Sequence, residues 1–316
     1  MRPLPLIVSV IALCLAACAQ VNRPDPQDQT ISVGHAVHAP KAAHGRLRIA
    51  TYNVHMESAQ EILRGIRADR ELESADILFL QEIEATSEHT PQRLAELLGY
   101  DYAYAPGYGV GDGGSHGIAI VSRVSLHALK LIELPRHDVV FNSARRVALA
   151  ATILLAEPPI RIYNVHLDNR LNPKDRAAQL RPVLADAQRL GATPALIGGD
   201  MNTSPFCWIG HVVPLPCGLQ DDRIESSVRK SGFDTPVTKS GGTHKVFAMR
   251  LDAIYTRALS VTAFGVADDA RISDHLPLWA DIEHPRVGPR WPAWERRGSS
   301  RAPLAKRSSA RRRGPR

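Results

Sequence analysis

Carboxylate, amide and imidazole side chains recur in this sequence where short apolar runs begin or end. A polar group at the mouth of a buried strand costs free energy unless it is paired or bound to something. One such residue is usually a turn former, but several in one domain indicate a shared crevice, because strand ends in α/β folds converge there. The set comprises Asn53, Glu82, His166, Asp200, Asn202, Asp252, Asp274 and His275.

The residue types in this set predict the chemistry. Asn53, Glu82 and Asp274 offer oxygen ligands, which suit a hard cation such as Mg²⁺ or Mn²⁺, and no cysteine joins them to favour zinc. An aspartate paired with a histidine makes a base for activating water. Asparagine and histidine beside a metal ion donate hydrogen bonds to the extra charge of a pentavalent phosphorus. Together these groups indicate metal-assisted hydrolysis of a phosphoester.

Between residues 46 and 284, apolar strands alternate with helices. Helical patterns cover Ala59–Arg70, Pro91–Leu98 and Pro173–Leu190, and the last of these has Gly191 as a stop signal. The other apolar runs have the length of strands, which implies packed sheets with helices outside them. The run Gly109–Gly114 matches a dinucleotide-binding fingerprint, but a strand follows it where that motif requires a helix. Nicotinamide binding is therefore rejected.

Six short blocks of this region resemble, in order, the signature blocks of the endonuclease/exonuclease/phosphatase superfamily. They read Tyr-Asn-Val, Leu-Gln-Glu, Asn-Val-His-Leu-Asp, Gly-Gly-Asp-Met-Asn-Thr-Ser-Pro, Leu-Asp-Ala-Ile-Tyr and Ser-Asp-His-Leu-Pro. The resemblance covers about residues 46–284. It implies a four-layer α/β sandwich, in which two packed mixed β-sheets are flanked by helices.

The resemblance also implies a metal site and a general base. Glu82 matches the principal ligand of a divalent cation, Mg²⁺ or Mn²⁺, with Asn53 and Asp274 beside it. Asp252 matches the acid that orients a catalytic histidine, here His275, which would take the proton from water.

Further matched positions are implied to contact the phosphate. Asp200 and Asn202 match a pair that positions the attacking water and grips a phosphoryl oxygen. His166 matches a phosphate-contacting histidine, with the acid that helps the leaving group depart as its alternative role. Two weaker candidates come from the residues alone. Arg146 precedes a strand and is a candidate phosphate clamp, and His116 is either a substrate contact or a solvated histidine of the glycine-rich loop.

The N-terminus predicts export. Arg2, the apolar run Leu4–Leu15 and a small-residue ending make residues 1–18 a signal peptide. Its Leu-Ala-Ala-Cys ending resembles a bacterial lipobox, which implies a membrane anchor on Cys18 in the cell envelope. Ala17-Cys18-Ala19 also fits ordinary cleavage and free secretion. Residues 19–45 are rich in Pro, Gln, Ala and His, which is typical of a flexible tether.

The C-terminus carries most of the positive charge. Residues 285–316 hold eleven Lys or Arg and one acid, and removing that net +10 from the total of +7 leaves −3 elsewhere. A disordered basic tail of this kind binds nucleic acid or anionic headgroups, or only keeps the protein soluble. Cys207 and Cys217 are the two cysteines outside the signal peptide, and an oxidising compartment favours a disulfide between them.

The substrate class is the weakest inference from the sequence. Nucleic acid ranks first because the basic tail suits phosphate contacts. A phospholipid, as in neutral sphingomyelinases, ranks second because the sequence shows no exposed apolar hairpin to enter a bilayer. A small phosphorylated molecule ranks third, since no Lys/Arg cluster lies inside the domain. A catalytically inactive surface-binding module is the non-enzymatic alternative, although no gap in the acid and histidine set supports it. Nothing indicates an oligomer, and a monomer is expected.

Overall fold

The computed structural model describes residues 23–36, 46–137, 139, 143–154, 158–218, 221–235, 237 and 240–283. The signal peptide, the lipobox cysteine Cys18 and the basic tail lie outside the described residues. No helix within these ranges is long and apolar enough to cross a membrane.

Nineteen helices and strands are described along the chain, together with a short 3₁₀ turn at Gly111–Gly113. In order they are β1 (Ser32–Gly34), β2 (Arg46–Asn53), α1 (Ala59–Ala68), α2 (Arg70–Glu73), β3 (Ile77–Ala85), α3 (Thr90–Leu98), β4 (Asp101–Gly109), β5 (Ser115–Ser122), β6 (His127–Glu133), β7 (Val147–Ile153), β8 (Ile160–His166), α4 (Pro173–Arg189), β9 (Ala195–Asp200), β10 (Phe206–Ile209), β11 (Val213–Pro216), α5 (Asp221–Lys230), β12 (Asp252–Arg257), β13 (Ser260–Val266) and β14 (Leu278–Glu283).

Two mixed sheets form the centre of the protein. One has seven strands in the order β1-β4-β5-β3-β2-β14-β13, and the other has five in the order β12-β9-β8-β7-β6. The β2/β3 and β8/β9 pairs are parallel and the other pairs are antiparallel. Apolar side chains from both sheets, including Phe79, Leu149 and Ile162, make one buried cluster between them.

Helices cover the outer faces of the two sheets. Apolar residues of α1 and α3, such as Ile62 and Leu94, pack on the seven-stranded sheet. Leu180 of α4 and Ile224 of α5 pack on the five-stranded sheet. Each helix thus buries one stripe, as an amphipathic helix on a sheet does. The four-layer α/β sandwich, two packed mixed β-sheets flanked by helices, is confirmed.

Strand register brings the predicted polar residues to one end of both sheets. In the parallel β2/β3 pair Asn53 lies opposite Gln81. Asp200 lies opposite His166 on one side and opposite Asp252 on the other. The two glycines before Asp200 are required by close packing. A Cβ on Gly199 would lie 1.9 Å from the Val165 carbonyl oxygen, and its φ of +148° is open to glycine.

Three parts of the structure differ from the sequence-based expectation. The tether prediction for residues 19–45 is wrong at 32–34, where β1 pairs with β4, although residues 19–22 and 37–45 lie outside the described ranges. The hairpin β10/β11 and the helix α5 were not predicted at all. The disulfide between Cys207 and Cys217 is confirmed, and it closes the base of this hairpin.

Candidate active site

Glu82 reaches the cleft because its strand is irregular. A β-bulge interrupts the β3/β5 ladder between Gln81 and Ile83, and Glu82 adopts a left-handed φ of +53°. A bulge changes the direction of the side chain that it contains, and a left-handed conformation at a non-glycine residue is a strain that is concentrated at functional sites. The Glu82 carboxylate accepts a 3.0 Å hydrogen bond from the Asn53 amide.

Asn53 is oriented differently from the sequence-based expectation. Its amide nitrogen, not its oxygen, faces the acids, and it donates to Glu82 Oε1 and to Asp200 Oδ2, at 3.0 Å in each case. Its oxygen accepts the backbone N–H of His55 at 3.1 Å. The structure therefore does not present Asn53 as an oxygen ligand. Because it bridges two carboxylates, Asn53 instead fixes the distance between them.

Asp252 and His275 form a buried pair beside Asp200. His275 Nδ1 lies 2.9 Å from Asp252 Oδ2, so that Nδ1 carries the proton and Nε2 faces Asp200 Oδ2 at 3.8 Å. The Thr243 hydroxyl accepts the backbone N–H groups of Leu251 and Asp252, at 3.0 and 3.1 Å. Thr243 thus holds the start of β12 and with it the acid that orients the histidine.

Asn202 fixes the other side of Asp200. Its backbone N–H donates to Asp200 Oδ1 at 2.9 Å, and its side-chain amide donates to the Leu167 carbonyl at 2.8 Å. The residue has a φ of +52°, a conformation that asparagine tolerates better than most residues. Asp200 and Asn202 therefore lie together as the sequence predicts, and Asn202 ties the β9 end to the β8 end.

The pKa values of this cluster are strongly displaced. Burial, with a smaller contribution from the nearby Asp252 and against the effect of His275, raises the pKa of Asp200 to about 7. Burial alone would lower the pKa of His275, but the adjacent Asp252 and Asp200 carboxylates overcome it and raise that pKa to about 10. Burial thus favours the neutral form of Asp200, whereas the adjacent carboxylates favour the charged form of His275.

His166 belongs to a second hydrogen-bonded row. Arg146, which has no acceptor, lies 3.2 Å from His166 Nδ1, so that Nδ1 accepts and the proton sits on Nε2. That N–H faces Asp200 at 3.6 Å and Glu82 at 3.8 Å. Burial, followed by the charge of Arg146, lowers the pKa of His166 well below its ordinary value. His166 is therefore a neutral donor that points into the site.

Arg146 itself is held by Asp168. The Arg146 Nε donates to Asp168 Oδ1 at 2.7 Å, and Gln179 of α4 donates to Asp168 Oδ2 at 2.8 Å. Asp168 thus does more than precede the α4 helix, since it fixes the arginine that sets the tautomer of His166. A residue that acts by holding another side chain in place leaves no periodic signal in the sequence.

Asp274 lies at the rim of the site and is partly exposed. Its polar contacts are with Ser273, with His55 Nδ1 at 3.3 Å and with His244 Nε2 at 3.9 Å. Partial burial would raise the pKa of Asp274, but the nearby His275, His55 and His244 together lower it. His55 was missed by the sequence reasoning, although it is two residues after Asn53.

His116 is buried rather than solvated. Its side chain is 5% exposed and its ring stacks on Tyr108 with centroids 4.5 Å apart. Both residues line a small cavity together with Arg146 and His166. The reading of His116 as a solvated loop residue is therefore wrong, and its place beside the phosphate-contact candidates fits the substrate-binding alternative.

A polar bridge crosses the core behind the site. Gln81 donates to Asn164 Oδ1 at 2.7 Å and exchanges hydrogen bonds with Thr51, while Asn164 donates to the carbonyls of Leu80 and Ala119. These buried groups link the two sheets just below Glu82 and His166. Because every partner is satisfied, the bridge sets the separation of the sheets and so the width of the cleft.

The acid set suits a divalent cation. Ligand atoms of Asp200, Asp252 and His275 all lie within 4.8 Å of one another. In that trio Asp252 and His275 are hydrogen-bonded to each other, which uses one ligand atom of each. This favours a joint role as a general base over a role as two metal ligands. Asp252 Oδ1 is buried without a hydrogen-bond partner. Among the described residues Arg146 is engaged by Asp168, and the carboxyl groups of Glu82 and Asp200 are joined through the Asn53 amide, an arrangement that fits a bound cation.

Comparison with known proteins identifies the family. The family model described as the Endonuclease/Exonuclease/phosphatase family matches residues 50–275, which is most of the chain. The chain belongs to the endonuclease/exonuclease/phosphatase family. As a member, it is a hydrolase of phosphoester bonds that depends on a divalent metal ion. No curated protein matches the sequence.

Solved structures share the fold of this family member. An endonuclease/exonuclease/phosphatase from Beutenbergia cavernae is 22% identical with a TM-score of 0.61, over 76% of this chain and 72% of that one. The catalytic domain of human nocturnin with bound sulfate is 21% identical with a TM-score of 0.57, over 82% and 98%. A Danio rerio TDP2 structure with a single-strand DNA product is 16% identical with a TM-score of 0.54, over 75% and 99%.

Proposed function

We propose that this enzyme hydrolyses phosphodiesters with Mg²⁺ or Mn²⁺ and with His275 as the base that activates water. The observation that carries the proposal is the Asp252–His275 pair, whose free Nε2 points at a cluster of acids. The neutral His166 donor faces the same carboxylates, 3.6 Å from Asp200 and 3.8 Å from Glu82.

His275 takes the proton from water in this proposal. Asp252 holds the Nδ1 proton, so that Nε2 is the acceptor, and Asp200 lies 3.8 Å from it to orient the incoming water. A histidine with its pKa raised to about 10 is protonated at neutral pH. A neighbouring cation would oppose that protonation, so occupancy of the metal site and readiness of the base are coupled.

His166 and Asn202 serve the phosphoryl oxygens. The His166 Nε2 proton, fixed by Arg146 on the opposite nitrogen, is a donor to the charge that builds up on phosphorus. Its lowered pKa makes it a hydrogen-bond donor rather than a proton donor at neutral pH. Asn202 supports this contact by holding Asp200 and the loop that follows His166.

Glu82 and Asp274 would hold the cation, with Asp200 within reach of it. When bound there, the cation neutralises phosphoryl charge and lowers the pKa of coordinated water. Asn53 spaces the Glu82 and Asp200 carboxylates through its amide group. Carboxylate oxygens favour Mg²⁺ or Mn²⁺ over zinc.

Export and substrate class are part of the proposal. The signal-like N-terminus supports a protein of the cell envelope, anchored through Cys18. The net +10 of the tail supports nucleic acid as a substrate, and the TDP2 neighbour was solved with a DNA product. A phospholipid is the second candidate, because the structure exposes apolar side chains beside the site, contrary to the sequence-based expectation.

A chromogenic bis-aryl phosphodiester tests the proposal. Turnover with Mg²⁺ should disappear on addition of EDTA and return with excess metal. His275→Ala should lower turnover by at least about 10²-fold, since the loss of a general base typically costs that much. A flat signal in every metal ion would favour the inactive binding module. Plasmid DNA, RNA, sphingomyelin and a phosphomonoester, compared at fixed metal, then rank the substrate classes.

A further inference from the structure

The first described segment of the chain, residues 23–25, is fixed beside the cleft. Arg23 N donates to the Ser143 carbonyl at 3.1 Å, and Gly109 N donates to the Pro24 carbonyl at 2.8 Å. The backbones are in close contact, because a Cβ on Gly109 would lie 3.1 Å from the Asp25 carbonyl oxygen. This N-terminal segment is therefore attached to the loops that border the site, which gives its side chains defined positions.

The attachment brings the side chain of Arg23 to the small cavity that Tyr108, His116 and Arg146 line. The guanidinium carbon of Arg23 lies 5.7 Å from the ring centroid of Tyr108, which stacks on His116. Burial raises the pKa of Tyr108, and the charge of Arg146 opposes that shift. Glu82 and Arg23 also act on this phenol, with opposite signs, so both lie within electrostatic range of it. Because Arg23 is exposed, its charge is accessible to a ligand in the cleft.

The charge of Arg23 is not neutralised by any residue that the structure describes. Two neighbouring arginines are neutralised, since Arg136 is paired with Asp25 and Arg146 with Asp168. Arg23 makes no ion pair of this kind within the described ranges. An exposed arginine is often only solvated, but this one is held by its backbone over an aromatic ring that lines the site. A cation fixed in this way suits an anionic ligand.

Buried polar atoms without partners lie in the same cavity. Among the described residues His116 Nδ1 has no hydrogen-bond partner, and Glu84 is 3.9 Å from it. Arg145 Nε is buried in the same condition, with Glu133 at 3.6 Å. Nearly all buried polar atoms in native proteins are hydrogen-bonded, and each exception requires an explanation such as an absent ligand. Both atoms belong to residues that line the cavity, so a ligand that enters it would meet groups able to bind it.

We infer that Arg23 binds a second phosphate group of the substrate, one that is not cleaved, in a subsite completed by Tyr108 and His116. The inference rests on the proposed function, which assigns the cleaved phosphate to His166 and the bound cation. A guanidinium matches a phosphate through two parallel hydrogen bonds, whereas it would repel a cationic group such as choline. Arg23 lies outside the six sequence blocks, in the part of the chain whose composition predicts a tether.

Binding of two matched nucleotides tests the subsite. Titration calorimetry of the exported protein with Mg²⁺ gives the Kd of thymidine 3′,5′-bisphosphate and of thymidine 5′-monophosphate, and the ratio of these Kd values isolates the second phosphate. We expect the wild type to bind the bisphosphate at least about tenfold more tightly, as one charge-assisted contact gives. Arg23→Gln should reduce this preference to about twofold or less, and Arg23→Lys should keep part of it because the charge remains. Arg189→Gln is the matched control, since Arg189 is exposed at the end of α4 away from Asp200, and it should keep the wild-type ratio.

Three outcomes would overturn the subsite. They are equal affinity of the wild type for both nucleotides, a wild-type ratio in Arg23→Gln, and an equal loss of the ratio in Arg23→Gln and Arg189→Gln. The last outcome would mean that net charge alone produces the preference. The basic tail is identical in all these proteins, so it cannot cause a difference between the two glutamine variants. Because calorimetry does not depend on turnover, failure of the wild type to cleave a soluble chromogenic diester would instead refute the proposed function.

Discussion

Asp200 and Asp281 are buried to the same extent, with 1% of each residue exposed, yet their surroundings are opposite. Asp281, at the far end of the sheets, accepts hydrogen bonds from Arg48 at 2.8 and 2.9 Å and another from Arg46. Burial would raise the pKa of Asp281, but these guanidinium groups lower it. Asp200 has an amide and histidines as neighbours, and its pKa rises to about 7.

The difference separates structure from function. At Asp281 the two arginines neutralise the buried carboxylate, so that no ligand is required to compensate its charge. Around Asp200 the chain supplies more carboxylates than cationic groups. Burial of these carboxylates costs free energy, and a bound cation would offset that cost.

The largest expected effect concerns turnover. Asp200→Asn should lower kcat on a chromogenic diester by at least about 10²-fold, because it removes the group that positions the water for the base. Asp281→Asn, equal in size and burial, should stay within about threefold once rates are corrected for the folded fraction. Steady-state rates of the two purified variants make the comparison, and similar losses in both would break it.

Stability should show the opposite order. Asp281→Asn removes the charge that binds Arg46 and Arg48 and should lower the free energy of unfolding by about 2 kcal/mol. This figure already allows for the partial exposure of Arg46. Asp200→Asn should raise the stability of the metal-free protein, because it removes an uncompensated buried acid. Urea unfolding in EDTA measures both variants. A destabilised Asp200→Asn would mean that the Asp200 carboxylate is already compensated within the chain.

The pH dependence of stability follows from the same shifts. Asp200 has its folded pKa raised above 3.8, so the folded state binds its proton more tightly and stability falls as pH rises from about 4 to 7. The raised pKa of His275 contributes stability that is full below 6.5 and is lost as pH rises through about 10. The lowered pKa of His166 opposes these contributions below about 6.5, because the unfolded state then binds the additional proton, so in EDTA the Tm should fall between pH 7 and 9. Mg²⁺ should raise Tm most at the alkaline end, since cation binding displaces these protons.

The smallest effect is expected at a positioning residue. Thr243→Val keeps the shape of Thr243 but removes the acceptor for the N–H groups of Leu251 and Asp252. It should lower kcat about tenfold, as the loss of one to two hydrogen bonds implies, with KM little changed. Because Asp252 then holds His275 less firmly, the alkaline limb of the pH–rate profile should move. An unchanged profile would reduce Thr243 to a structural role.

The sequence predicted the layers and most of the site because both depend on local patterns. Apolar runs of strand length and the helix start at Pro173 are periodic signals, and the motif blocks identified Glu82, Asp200 and His275. Glu82 lies inside β3, at its bulge, and not at the strand end that the sequence predicts. The direction of the Asn53 amide was not predictable, since it depends on a bulge and on the backbone of His55. The hold of Asp168 on Arg146 and the exposure of Phe247 arise only when distant loops meet. From the sequence alone an apolar residue is assigned to the core, and only the folded structure shows that it is exposed.

Cation binding tests the central claim most directly. Titration calorimetry with Mg²⁺ should show binding by the wild type and by Asp281→Asn. The affinity for Mg²⁺ should increase as pH rises through about 7. Glu82→Gln should abolish or weaken that binding by at least about tenfold, because one of two clustered carboxylates is lost. Equal Mg²⁺ affinity in Glu82→Gln and the wild type would contradict a cation held by the unbalanced acids.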